Sequence, residues 1–413
     1  MPLIEGFWIK NFGPLKNIAL GTSYLQTLVV EDEESSSTDY RLGPVTLIVG
    51  NSDVGKSSLM DAFHFLSDCL VFGVEDSCIK RGGLEAIYTQ GGEGPLSIGI
   101  NFHLENEPIP LTYAVNIGTT SHHTPRVDSE VLVYRSLDPS AGSTPIMLLQ
   151  NYPKNVKHIV PRDKVHASHL SNTKITDSRH LGLASLGLLE DAYPDVATLK
   201  RYLENWYLGC YTPHDALGLS PVVPQKYQHS RGDSLVSCVR EMELKNHDSF
   251  QSQLDRIAKL LPGVEGITLE RTESGRLLLF FKLKDCPVPL TAQRMSDGLL
   301  RLFAHLLILE DLCPFPFVGI EEPENGLDQN LLELFVDALI RQVVDRRKTQ
   351  FFITTHSARM VDRVRPESVW LFEKIDGKTN VRRASDDPEI RSTLSSQQTL
   401  ADDWFSSGRF MEM

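Results

Sequence analysis

Val45-Thr46-Leu47-Ile48-Val49-Gly50-Asn51-Ser52-Asp53-Val54-Gly55-Lys56-Ser57-Ser58 is the stretch that decides how this 413-residue chain is read. Its first five residues are a short apolar, β-rich run. Gly50 to Ser57 then satisfies G-x-x-x-x-G-K-[ST], and Ser57 to Leu70 carries Leu59, Met60, Ala62, Phe63, Leu66 and Leu70 at helical spacing. Strand, glycine turn and helix in that order form the context in which the pattern binds phosphate. Glycines permit the tight turn that aims successive backbone N–H groups at one anion, and the helix start adds a favourable dipole. Lys56 is then expected to reach the β- and γ-phosphates and the Ser57 hydroxyl to ligate Mg²⁺. A chance glycine turn is the competing reading, and the flanking elements argue against it.

Two similar runs lie far downstream. Phe317 to Ile320 (F-V-G-I) leads into Glu321-Glu322-Pro323-Glu324, and Phe351 to Thr355 (F-F-I-T-T) leads into His356-Ser357. Apolar runs this short suit strands buried on both faces, as in a parallel sheet covered by helices. Ligands collect where such strands end. Helical spacing returns at Leu299 to Leu312 and Leu331 to Val344. Two adjacent carboxylates at a strand end point in different directions. One can hold hydrated Mg²⁺ while the other orients or deprotonates water. A histidine at the next strand end can sense the γ-phosphate or polarise that water. The plainer readings are an exposed Pro-Glu-Asn-Gly turn and a structural histidine; the order of the motifs outweighs them.

Composition limits the alternatives. A net charge of −13 argues against a protein that coats nucleic acid by electrostatics alone. Six cysteines lack C-x-x-C spacing, which fits reduced cytosolic thiols better than disulfides or zinc. The N-terminus lacks signal-peptide features and no apolar run approaches a membrane span, so a cytoplasmic protein without membrane contact is expected. Glu31 to Ser37 reads as an exposed acidic loop, Leu96 to Leu104 and Leu111 to Ile117 as an antiparallel side sheet, and about 119 to 179 as a loop-rich excursion. Gly182 to Trp206 and Ser249 to Leu261 look helical. Arg346-Arg347-Lys348 and Arg382-Arg383 read as solvated surface before phosphate-backbone contacts. Glu243-Leu244-Lys245 with Asp233 is too short a match for a nuclease core. His158, His166 and His169 lack companion ligands at zinc spacing.

Together the motifs resemble the ATP-binding-cassette class of ATPase heads, in its RecF/SMC-like branch. They are most similar to AAA-type ATPases with the pattern LSDG-T-LR … EEPENGLHP … TTHS. Here these read Met295-Ser296-Asp297-Gly298-Leu299-Leu300-Arg301, then E-E-P-E-N-G-L-D from Glu321 to Asp328, then Thr354 to Ser357. Ile9 to Leu15 (I-K-N-F-G-P-L) resembles that family's opening strand and Trp404 to Gly408 its usual tail. The resemblance implies ATP and Mg²⁺ as cofactors, bound by Gly50 through Ser58, with Ser57 and Glu321 on the metal. It implies Glu322 as general base, His356 as switch histidine, and Ser296 and Gly298 as a signature reaching the γ-phosphate on a second subunit. Asp328 falls at the D-loop position between the two sites. The departures are Asp53 where many relatives have glycine, Ser52 for Asn, Glu321 for the commoner Asp, and Asp328 where close relatives often have His. Gln90 is the candidate Q-loop residue.

The expectation is therefore an α/β chain: an ABC-type ATPase head with a mostly parallel core sheet, an antiparallel N-terminal side sheet and an inserted, mainly helical lobe. Its segments are 1–118 (core with phosphate loop), 119–285 (inserted lobe) and 286–413 (signature, carboxylates, D-loop and His356). The expected function is an ATP-hydrolysing switch that dimerises around ATP, in DNA repair or anti-phage defence, with a nuclease or toxin effector and DNA as partners. The alternatives are the ATPase subunit of a membrane transporter and a module that binds ATP with little turnover.

Overall fold

The computed structural model describes residues 2–22, 40–104, 111–134, 146–152, 155–158, 178–191, 193–209, 239–240, 242–244, 247–271, 277–311, 315–346 and 349–388. The acidic stretch 31–37, Asp233, Lys245, His166, His169, Arg347, Lys348 and the tail 404–408 lie outside the described residues. So do Cys210, Cys238 and Cys313, whereas Cys69, Cys78 and Cys286 are free thiols. The chain forms two compact units, Met1–Trp206 with Val364–Met413, and Tyr207–Arg363.

In the first unit an antiparallel sheet of seven strands runs in the order β2-β1-β4-β5-β6-β7-β8. Its strands are β1 (Pro2–Phe12), β2 (Leu15–Gly21), β4 (Leu96–Leu104), β5 (Leu111–Thr119), β6 (Pro125–Tyr134), β7 (Ile146–Tyr152) and β8 (Asn155–His158). The side sheet expected at 96–117 is thus present, but three strands also occupy the excursion read as loop-rich. The reason is visible in β6. Glu130 is fully buried, and its carboxylate accepts from the Tyr113 hydroxyl (2.9 Å) and from the N–H groups of Gly182 (2.5 Å) and Leu183 (2.9 Å). A charge at an inward position masks the apolar alternation by which a strand is recognised. Because β6–β8 continue the sheet of β4 and β5, the chain beyond 118 stays in the first unit.

The same unit holds β3 (Val45–Gly50), buried at every residue and paired in parallel with β15 (Val369–Ile375). β16 (Lys378–Arg383) joins β15 as an antiparallel hairpin. Helix α1 (Lys56–Phe72) follows β3 and packs inward, with Phe63 edge-on to Phe7 and Trp206. Short helices α2 (Val74–Ile79), α3 (Leu84–Ile87), α4 (Gly182–Leu186) and α5 (Pro194–Glu204) complete it.

In the second unit β13 (Phe317–Glu321) and β14 (Gln350–Thr355) pair in parallel, with Glu321 opposite Thr354. Helices α7 (Asp297–Leu309), α8 (Gln329–Arg346) and the short α9 (Ala358–Asp362) surround this sequence region. Helix α6 (His247–Leu260) precedes the antiparallel strands β10 (Val264–Arg271), β11 (Leu277–Leu283) and β12 (Leu290–Thr291). The three apolar runs and their helices thus form where periodicity predicts. No helix among the described residues is long and apolar enough to cross a membrane.

Candidate functional site

The phosphate loop belongs to the first unit. β3 ends at Gly50, where a Cβ would stand 2.2 Å from the Phe372 carbonyl oxygen on β15. Asn51, Ser52 and Asp53 emerge toward solvent, and Val54 turns back inside at 4 % exposure. Two residues make the turn with positive φ, Asp53 (66°) and Gly55 (103°). Asp53 therefore takes the left-handed conformation that glycine adopts without cost, and Asp is one of the few L-residues to tolerate it. Gly55 is required twice over. Beyond its φ, a Cβ would approach Leu15 Cδ2 (2.7 Å) and Thr379 Oγ1 (3.1 Å).

Lys56 opens α1 at 5 % exposure, and its Nζ donates to the carbonyls of Gly50 (2.8 Å) and Asn51 (2.7 Å). The ammonium is thus tied to the loop's own backbone. Gly55 caps α1 without a side-chain hydrogen bond, and the first turn has no acidic residue. The positive end of the helix dipole at this start therefore suits an anion. Ser57 is exposed at this helix start and Ser58 is half-buried beside it. Thr379 on β16 was not singled out by sequence. Its Oγ1 donates to the Val54 carbonyl (2.8 Å), and Pro14 O lies 3.3 Å away. A threonine in a polar hairpin gives no local signal of contacts made so far away in sequence.

Ser296, Gly298, Glu321, Glu322, Asp328 and His356 belong to the second unit. Glu321 is the half-buried last residue of β13. Glu322 has φ 42°, a conformation rare for a non-glycine residue, and its N–H donates to Thr354 O (2.9 Å) and Thr354 Oγ1 (3.2 Å). The positive φ at Glu322 ends the strand there. Glu322 Oε2 accepts from Asn325 Nδ2 (2.7 Å), and Oε1 lies 3.1 Å from His356 Nε2. His356, just past β14, is 38 % exposed and Glu322 32 %. Glu324, which sequence reading passed over as part of a turn, accepts from the Thr355 hydroxyl (2.8 Å) and the His356 N–H (2.5 Å).

Ser296 caps α7, its Oγ accepting from Leu299 N at 3.4 Å. Asp328 caps α8, its Oδ1 accepting from the N–H groups of Asn330 (2.9 Å) and Leu331 (3.0 Å). Within this unit the signature meets the turn after the carboxylates. A Cβ on Gly298 would lie 2.9 Å from Gly326 O, and one on Gly326 2.8 Å from Arg301 Nε. Glu322 and His356 are thus brought into contact, and Gly298 adjoins the turn leading to Asp328. Gln90 is exposed and lines a separate open pocket of about 680 Å³ in the first unit. Arg382 is taken by Glu373 and Asp387, and Arg383 lies 4.5 Å from the Tyr40 ring centre. No His/Cys/Asp/Glu cluster able to hold a metal occurs among the described residues.

Residues 241–362 match the family model described as "AAA domain, putative AbiEii toxin, Type IV TA system". That span includes Ser296, Glu321, Glu322, Asp328 and His356, and excludes the phosphate loop. A 65-residue stretch is 38 % identical to the DNA replication and repair protein RecF of two Porphyromonas gingivalis strains, covering 15 % of this chain and 18 % of those proteins. Among solved structures, the SMC head domain from Thermotoga maritima is 14 % identical with a TM-score of 0.42, over 92 % of this chain and 98 % of that one. The Smc head bound to the C-terminal domain of ScpA, derived from Pyrococcus furiosus, is 15 % identical with a TM-score of 0.48, over 96 % and 100 %. Scores this low decide neither family nor function. The carboxylate-bearing part of the candidate site thus lies within the stretch that matches the AAA-domain model, and the chain spans less than a fifth of the length of the RecF relatives it resembles.

Proposed function

We propose that this chain binds ATP on the loop from Gly50 to Ser58 and hydrolyses it with Glu322 as general base. The observation that carries the reading is the Glu322 carboxylate, kinked out of β13 and held between Asn325 and His356. Such a carboxylate can take a proton from water while the histidine opposite fixes its direction. Lys56 and the start of α1 fit the triphosphate, as positive charge and the positive end of a helix dipole suit an anion. Mg²⁺, held by Ser57 and Glu321, would neutralise charge on the phosphoryl oxygens.

The same reading makes Ser296 and Gly298 at the start of α7 the face offered to the ATP of a second copy, with Asp328 beside it. ATP would then join two copies and hydrolysis release them. The family description and the RecF likeness favour a setting in DNA transactions or defence, with a separate nuclease or toxin effector. Glu322→Gln tests the core of the proposal. It should lower turnover about a thousandfold, leave ATP affinity unchanged and accumulate dimers on a sizing column. Normal turnover in that variant removes Glu322 as base.

A further inference from the structure

We infer that Glu324 is a positioning residue that fixes His356 against Glu322; this rests on the hydrolytic reading above. Two hydrogen bonds end on one carboxylate oxygen and a third feeds into the hydroxyl that makes one of them. Ser357 N–H donates to Thr355 Oγ1 (2.9 Å), Thr355 Oγ1 donates to Glu324 Oε1 (2.8 Å), and His356 N–H donates to the same oxygen (2.5 Å). Thr355 is fully buried, so if that oxygen is lost its hydroxyl has the weak acceptor Met360 Sδ, 3.5 Å away, in place of water. The second oxygen, Oε2, is buried without a hydrogen-bond partner among the described residues. All of the carboxylate's bonding is therefore directed at the end of β14, where the chain leaves the strand and His356 begins. Linked bonds of this kind polarise one another.

The arrangement has a division of labour. Within four consecutive residues, Glu322 supplies the carboxylate facing His356, Asn325 grips that carboxylate, and Glu324 grips the histidine's backbone. The 3.1 Å contact between Glu322 Oε1 and His356 Nε2 is thus set from both sides by one turn. A turn serving only to reverse the chain has its own bonds for that purpose, Asn325 N–H to Glu322 O and Leu327 N–H to Glu324 O. The Glu324 side chain is additional to them.

The test is a cycle of Glu324→Ala, His356→Ala and the double variant in steady-state ATP hydrolysis. Glu324→Ala should lower kcat roughly tenfold, since small misplacements of a reacting group cost that much or more, with KM for ATP within about twofold. Glu324→Gln retains an acceptor oxygen and should recover much of the loss. In the His356→Ala background the Glu324→Ala change should cost nothing further, because the two act in series. Amide exchange at His356 should also quicken in Glu324→Ala. An unchanged kcat in Glu324→Ala, or a full tenfold further loss in the double variant, overturns the inference. Glu322→Gln run in parallel separates the failures. Normal turnover there overturns the hydrolytic reading, whereas a dead Glu322→Gln beside an unaffected Glu324→Ala overturns only the role of Glu324.

Discussion

The phosphate loop of the first unit and the carboxylate turn of the second are made of different materials. The loop is a backbone device: its shape comes from positions where no Cβ fits, Gly50 against Phe372 and Gly55 against Leu15 and Thr379. Even its lysine is moored to main-chain carbonyls. The turn is a side-chain device, in which Glu322, Glu324, Asn325, Thr355 and His356 hold one another. The difference teaches where each should be vulnerable. Loop changes should alter binding, and turn changes should alter rate.

Lys56→Ala gives the largest effect that would sharpen this division. Under the proposed role of Lys56, removing this charged donor should weaken ATP binding about a hundredfold, as measured by calorimetry. An unaltered affinity would break the comparison at its first term. Acid offers the next test, through stability. His305 on α7 lies 4.9 Å from Phe335 on α8, and burial lowers its pKa to about 4. The unfolded chain binds a proton near pH 6.5 while the folded one resists it down to about 4, so stability falls as pH drops across that window. Between pH 7 and pH 5 the loss from this group is about 2 kcal/mol, seen as a lower urea midpoint and flattened in His305→Asn. His64 on α1 is lowered to about 4 mainly by burial, so the first unit should soften in the same direction.

A subtler probe sits at Thr379. Thr379→Val removes the bond to the Val54 carbonyl and should weaken ATP binding about fivefold, with kcat at saturation preserved and Thr379→Ser restoring affinity. A fall in kcat alone would place Thr379 with the turn instead of the loop. The smallest effect is expected at Asp53. Asp53→Gly relieves the left-handed backbone and removes a negative charge from an anion site, and should tighten ATP binding about threefold. Weaker binding would mean that the Asp53 side chain has a task of its own.

How far the sequence discloses these regions depends on distance along the chain. Val45 to Val49, Phe317 to Ile320 and Phe351 to Thr355 announce their strands because burial on both faces leaves unbroken apolar runs. The departure at Asp53 marks the residue with positive φ, so a residue-type oddity pointed to a real backbone feature. β6 was hidden by Glu130, a buried charge whose partners lie on β5 and α4. Glu324 looked like a turn residue, because its acceptor role appears only once β13 and β14 run side by side. Asp328 and Ser296 cap helices in addition to any part they take in ATP contacts, a dual use that motif matching alone does not reveal.

The clasp between Thr379 and Val54 joins residues 325 positions apart, and β15 pairs with β3 across a similar span. During synthesis the phosphate loop emerges early, while the strand and hydroxyl that brace it are made more than three hundred residues later. The nascent chain must therefore carry a phosphate-type loop that lacks its brace while more than three hundred further residues are added. Contacts this distant in sequence are slow to form. The ability to grip a nucleotide should accordingly arise only after β15 and β16 are made, so a ribosome stalled before Val369 would hold a chain that contains the complete motif without its braced loop.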